Sequence, residues 1–389
     1  MALSLAVLVV CCAFCDTALG WGVQRSGSVD DLWSVIFVNA KVGWAVGANG
    51  RILHTDDGGR QWSRQVSPTA ATLRHVCFVD SLNGWIVGDA GAILRTTDGG
   101  ATWLAQTSNT DRILASVDFW TVDDGWAVGQ SGMVLVTGDG GKTWTPHTVD
   151  GSVDLESVEF VSATHGWVCG TYGAIFITDD GGGTWQAQGW IVSATLAGMT
   201  FGDASHGWLV GSFGTILATT NGGDSWTRQE SDVAVHLSGS AFPSLTKGWA
   251  VGAGGMLLAT TDGGAKWTRT ESNTTRWLYD VCSTDTSHAW AVGQRGTIIA
   301  QTGFPTPRIV SLSPTSGKRG AVLTILGRGF GGKRSGSIVK FGSRPAVKYL
   351  LWSTTKIKCK VPLTVKTTVY QVKVKTAGGL SNAKRFKVK

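Results

Sequence analysis

Apolar residues in this chain come in short runs broken by Gly, Asp and Asn, and no run keeps a helical period. Residues 73–79 alternate about Val76 and Phe78. A second run covers 84–87, a third 93–96 and a fourth 102–106. Each is short, rich in β-branched or aromatic residues and bounded by turn formers, which predicts four strands. The set recurs every 41 residues. One tryptophan stands at Trp44, Trp85, Trp126, Trp167, Trp208, Trp249 and Trp290. A second stands at Trp21, Trp62, Trp103, Trp144, Trp185, Trp226 and Trp267. A leucine keeps the same register at Leu32, Leu73, Leu114, Leu155, Leu196, Leu237 and Leu278. A fixed period of this size marks one supersecondary unit stacked on its own copies, and four strands per unit predict an all-β, seven-bladed β-propeller over residues 21–304.

The seventh copy lacks its last tryptophan: Arg308 falls there, beside Pro305 and Pro307. Trp21-Gly22-Val23-Gln24 matches Trp62-Ser63-Arg64-Gln65, so the N-terminal strand is expected to complete blade seven and close the ring. Beyond residue 304 the pattern changes. Runs at 309–313, 321–326, 338–341, 356–360, 369–376 and 384–388 predict an antiparallel β-sandwich over 305–389.

Composition adds three things. Glycine is abundant (54) and proline scarce (8), as many tight turns require, and fourteen of the nineteen tryptophans are the repeat positions. Residues 1–20 are apolar and end with Ala18 and Gly20 at the −3 and −1 positions, which predicts a cleaved secretory signal and an extracellular or lumenal location. Of seven cysteines, Cys11, Cys12 and Cys15 lie in that leader. Cys77, Cys169, Cys282 and Cys359 are expected as four buried thiols, with neither a disulfide framework nor metal-ligand spacing. Charge is divided: residues 305–389 hold 19 Lys and Arg and no Asp or Glu, whereas 21–304 hold 15 basic and 26 acidic residues. An acidic ring is therefore joined to a strongly basic sandwich.

The stretch Thr96-Thr97-Asp98-Gly99-Gly100-Ala101-Thr102-Trp103 predicts a tight hairpin, with the Asp accepting backbone N–H groups and glycines at positive φ. It has the form of an Asp-box, and Asn221 replaces the Asp in the fifth copy. Together with the repeated Gly-Trp-Ala-Val-Gly, it makes residues 21–304 resemble the photosystem II stability/assembly factor family. That resemblance implies a non-enzymatic lumenal scaffold, in the thylakoid lumen if the family role holds, docking a membrane-protein complex through an arginine-rich face. The segment Pro307-Arg308-Ile309-Val310-Ser311-Leu312-Ser313-Pro314, then Gly317, Gly320, Gly327, Val339-Lys340-Phe341-Gly342 and Cys359-Lys360-Val361-Pro362, resembles the IPT/TIG immunoglobulin-like domain.

Sialidases share the Asp-box, but they need an arginine triad and a Tyr nucleophile with a Glu partner; the propeller has only Tyr172 and Tyr279, no Arg-Ile-Pro segment precedes the first box, and the unvarying period leaves no inserted catalytic loop. A glycosidase therefore ranks below a binding protein, and no cofactor or metal is expected. Binding is expected at the rim opposite the Asp-boxes, where Arg25, Arg51, Arg74, Arg112, Arg276 and Arg295 fall beside Trp33, Trp277 and Tyr279. The alternative is an adhesin-like protein holding an acidic polysaccharide or anionic surface through Lys356, Lys358, Lys360, Lys373 and Lys375 of the sandwich. Nucleic acid is not an expected partner of a secreted, monomeric chain. Asn273-Thr274-Thr275 is a glycosylation sequon in the loop between blades six and seven.

Overall fold

The computed structural model describes residues 20–189, 191–302, 307–330, 337–353, 355–376 and 379–389. The leader up to residue 19 and Trp190 lie outside them.

Seven four-stranded antiparallel sheets follow one another along the chain. Blade one is Leu32–Phe37, Gly43–Gly47, Arg51–Thr55 and Ser63–Arg64. Blade seven takes Leu278–Asp285, His288–Gly293 and Thr297–Thr302, and its fourth strand is the N-terminal Gly22–Arg25. Gly22 pairs with Ala300 and Arg25 with Thr297. The expected closing strand is thus present, and it buries Trp21 completely.

One side-chain pattern holds neighbouring blades together. In six of the seven blades the second-strand tryptophan stacks on the phenylalanine at the end of the next blade's first strand, as Trp44 does on Phe78 at 3.6 Å. Trp290 stacks on Phe37 across the closure at the same distance. That phenylalanine lies against the glycine opening its own second strand: a Cβ on Gly43 would fall 2.5 Å from the Phe37 ring. In blade seven the phenylalanine is replaced by Ser283, and the facing glycine becomes Ala289. Trp249, which lacks a phenylalanine to meet, packs edge-on against Trp21 at 6.0 Å.

The C-terminal strands form two sheets around a shared core that includes Ile309, Leu323, Ile325, Phe341, Ile357, Val372, Val374 and Phe386. One sheet runs Arg308–Ser313, Val322–Arg328, Lys356–Lys360 and Tyr349–Trp352. The other carries Lys384–Val388, Val369–Thr376 and Ile338–Phe341 side by side. The strand Tyr349–Trp352 was not expected, because Tyr-Leu-Leu-Trp does not alternate. A register shift lets Tyr349 turn inward, where its hydroxyl accepts a hydrogen bond from Val339 N at 2.7 Å. All four described cysteines are free. Cys169 and Cys359 are buried, but Cys77 and Cys282 are only half-buried, a correction to the expectation of four buried thiols. Both sit on first strands, which line the axis of the ring.

Candidate functional site

Within a blade the chain alternates between two rims. The turn after strand one and the Asp-box after strand three lie at one end. The turn after strand two and the connection to the next blade lie at the other.

The Asp-box end is built alike around the ring. Thr96 Oγ1 donates to Asp98 at 2.8 Å and accepts from Gly100 N at 2.8 Å, while Asp98 Oδ1 accepts from Thr102 N at 2.9 Å. These aimed donors pull the carboxyls of Asp98, Asp139, Asp180 and Asp262 down, Asp139 and Asp180 to about 2, chiefly through the backbone N–H groups of Thr143 and Thr184. The box carbonyl also receives the neighbouring blade. Trp44 Nε1 donates to Gly99 O at 3.2 Å and Trp85 Nε1 to Gly140 O at 3.1 Å. Gln65 Nε2 reaches Gly99 O as well, and Gln24 of the closing strand makes the same bond to Gly58 O at 2.9 Å. The Thr–Asp pair and the box carbonyl are thus committed to holding the turn and the neighbouring blade.

The opposite end is not uniform. In all seven blades the first strand carries a register shift after its leucine, as between Leu32 and Ser34. Such a bulge re-aims the extra residue. Here it points a ring of register-equivalent side chains into the channel mouth: Trp33, Arg74, Ala115, Glu156, Ala197, Ser238 and Tyr279. The mouth is a cavity of about 320 Å³. Along one wall Trp33 stacks on Tyr279 at 4.2 Å, Trp277 tilts against Tyr279 at 5.7 Å, and His236 meets Trp277 edge-on at 5.6 Å. This aromatic arc spans the seam where the ring closes. Tyr279 Oη donates to Asp31 at 3.2 Å and Trp277 Nε1 to Ser238 Oγ at 2.8 Å. Arg74 lies over the Trp33 ring, 5.5 Å from its centroid, and the cavity is also lined by Glu156, whose carboxyl is raised by burial.

Of the expected rim residues, the structure therefore gathers Trp33, Arg74, Trp277 and Tyr279 in one cavity. The other expected arginines do not line it. Arg25, Arg112, Arg276 and Arg295 are exposed. Arg51 is ion-paired with Asp30, and Arg74 with Asp89 at 2.5 Å. Arg276 donates to Arg295 O at 3.1 Å. Asn273 sits in an exposed loop, its Nδ2 donating to Trp21 O at 2.7 Å.

Two features escaped the sequence reading. Below the mouth, first-strand side chains cross to the next blade's first strand, which is a sheet edge with free amides. Asp118 Oδ2 accepts from Phe160 N at 2.8 Å, Glu159 Oε1 from Phe201 N at 2.9 Å and Asp280 Oδ2 from Val35 N at 2.9 Å. Burial raises all three carboxyls, Glu159 to about 8. Second, the turn after strand two places one residue per blade at positive φ, and in blades four and five this is an aromatic, Tyr172 and Phe213. They are 63% and 73% exposed. A bulky residue in the left-handed region costs about 1–2 kcal/mol, so neither is there for local stability. The signal for both features was chemical variety at a fixed register of the 41-residue period.

Fold and site define the class: a seven-bladed propeller with Asp-box turns and a variable mouth, followed by an immunoglobulin-like sandwich. Comparison sharpens this. Residues 64–152 and 190–275 match the family model described as photosynthesis system II assembly factor YCF48, residues 176–187 match the BNR/Asp-box repeat, and residues 307–388 match the IPT/TIG domain. No curated protein matches the chain. Among solved structures the chain is similar to YCF48 bound to D1 peptide, at 20% identity and TM-score 0.62, covering 72% of this chain and 96% of that one. It is also similar to YCF48 from Cyanidioschyzon merolae, at 21% identity and TM-score 0.62, covering 72% and 98%. The WD40 propeller domain of Doa1 has the same architecture at 12% identity, with a TM-score of 0.60 over 72% and 96%. Identities this low show a shared fold. The chain is a seven-bladed propeller similar to YCF48, followed by a segment that matches the IPT/TIG domain.

Proposed function

We propose that the propeller is a non-enzymatic scaffold that docks a polypeptide of a protein partner on the rim opposite the Asp-boxes, seated at the channel mouth. The observation that carries this reading is the arc of Trp33, Tyr279 and Trp277 presented at the mouth, whereas at the opposite rim the same structural bonds recur from blade to blade. Rigid aromatics around a cavity, with arginines beside them, are the anchors that peptide recognition uses. Arg25, Arg112, Arg276 and Arg295 would take the partner's acidic groups, and the apices Tyr172 and Phe213 would extend the surface to blades four and five. A structure of the same fold holds a D1 peptide, which supports a polypeptide occupant. Among the described residues no helix is long and apolar enough to cross a membrane. The apolar residues 1–20, ending with Ala18 and Gly20, support a chain delivered through a secretory route and acting in an extracellular or lumenal space; localisation of a tagged full-length chain tests that part.

The docking reading is tested by titrating labelled D1 peptide against the protein and against Trp33→Ala/Tyr279→Ala. Binding that weakens at least about tenfold in the variant, roughly 1.4 kcal/mol, is the expected result. Equal binding by both would remove the mouth from the account, and no binding by either would remove a D1-like partner.

A further inference from the structure

The structure separates the basic residues of the sandwich by face. Lys356, Lys358 and Lys360 point outward from one sheet, among the exposed apolar residues Val322, Leu326 and Leu351. Lys373 and Lys375 point outward from the other, where strand pairing adds three more cations. Lys340 stands opposite Lys373, Arg385 is opposite Gln371, and Lys387 opposite Val369. The inward positions of these strands are Val339, Phe341, Val372, Val374, Phe386 and Val388, all in the core. Five cations therefore share one face of three adjacent strands. Neighbouring strands are about 4.8 Å apart and same-face residues about 6.7 Å apart along a strand, so the charges form a close two-dimensional grid.

Like charges directly opposite each other destabilise a sheet, and Lys340 faces Lys373. Residues 305–389 contain no acidic side chain that could offset the repulsion, and the ion pairs found among the described residues all lie in the propeller. The propeller's excess of acidic residues is smaller than the sandwich's excess of basic ones.

We infer that this face, carrying Lys340, Lys373, Lys375, Arg385 and Lys387, is a binding surface for an extended polyanionic polysaccharide. Its outward residues also include Ile338, Val369 and Gln371 but no aromatic, so it offers no platform for stacking nucleic-acid bases. The mixture of lysine and exposed leucine that would suit a lipid surface lies on the opposite sheet.

The test uses the full chain with dextran sulfate as probe and neutral dextran as control, titrated at rising salt. Lys373→Gln/Lys375→Gln/Arg385→Gln is compared with Lys356→Gln/Lys358→Gln/Lys360→Gln, all six positions being outward-facing. The expected result is a loss of about tenfold or more in the first variant and less than about threefold in the second. The slope of log K against log salt should also become shallower by about 2 in the first, since each lost contact removes roughly 0.7–0.9 in the nucleic-acid analogue. The wild-type slope is an independent check, because a value near zero means that no counterions are released. Equal loss in the two variants would overturn the assignment of the face. Binding of polyglutamate, single-stranded DNA or phosphatidylserine vesicles as tightly as dextran sulfate would overturn the assignment of the ligand.

Discussion

Carboxylates at the Asp-box rim and in the channel are shifted in opposite directions by their surroundings. At the rim they stay in water and accept short bonds from their own turn, so the charged form is favoured and Asp139 and Asp180 fall to about 2. In the channel they accept a single amide from the next blade while leaving water, and burial outweighs the bond, so Glu159 rises to about 8. The same residue type thus locks a turn at one place and spans a seam between blades at another. The Asp-box rim can be repeated with little change because each box makes the same bonds within its turn and accepts the same bond from a neighbouring blade's tryptophan. The channel lining and mouth cannot, because seven side chains meet there and each changes what the others face.

The comparison breaks first at the closure, where the largest effect is expected. A chain beginning at Asp30 loses the strand Gly22–Arg25 and the fully buried Trp21. Removal of a buried tryptophan side chain alone costs about 3–5 kcal/mol, so the melting temperature should fall steeply. An unchanged value would mean that the ring does not depend on its N-terminal strand.

The channel is sharpened by pH. Glu159 is raised in the folded protein from 4.5 to about 8, so the folded state holds a proton that the unfolded chain releases. Stability from this group is full below about pH 4.5 and is lost as pH rises toward 8, by on the order of a few kcal/mol. Chemical denaturation of Glu159→Gln should show a smaller decline over that window than wild type. Parallel pH profiles would show that Glu159 is not held neutral.

At the Asp-box rim, Thr96→Val keeps shape but removes the acceptor of Gly100 N. A buried unsatisfied amide costs about 1–3 kcal/mol, which a shift in denaturation midpoint would report. No shift would mean that the threonine is not part of the lock. The smallest stability effect is expected for Phe213→Gly at an exposed apex. Relief of positive φ should leave the protein as stable or slightly more so, within about 1 kcal/mol. A clear loss would mean that Phe213 packs against its own blade.

Blade number, strand order and the closing strand were all legible because the tryptophan and leucine registers never slip. So was the basic character of the sandwich, although only strand pairing shows that Lys356 and Lys373 face opposite ways. The mouth was half legible. Trp33, Trp277 and Tyr279 stood out as aromatics outside the core registers, but the arginines drew equal notice, and Arg51 proves to be spent on Asp30. Asp118, Glu159 and Asp280 were hidden because a carboxylate in a strand reads as solvent-facing until seven strands are gathered around an axis.

Site-directed photo-crosslinking compares the two rims most directly. A photoreactive residue is placed at position 33 in one chain and at position 97, in the second Asp-box, in another, and each is expressed in its own cells. The account predicts a crosslink to partner polypeptide from position 33 and none from position 97. Equal crosslinking from both, or crosslinking from position 97 alone, would contradict it.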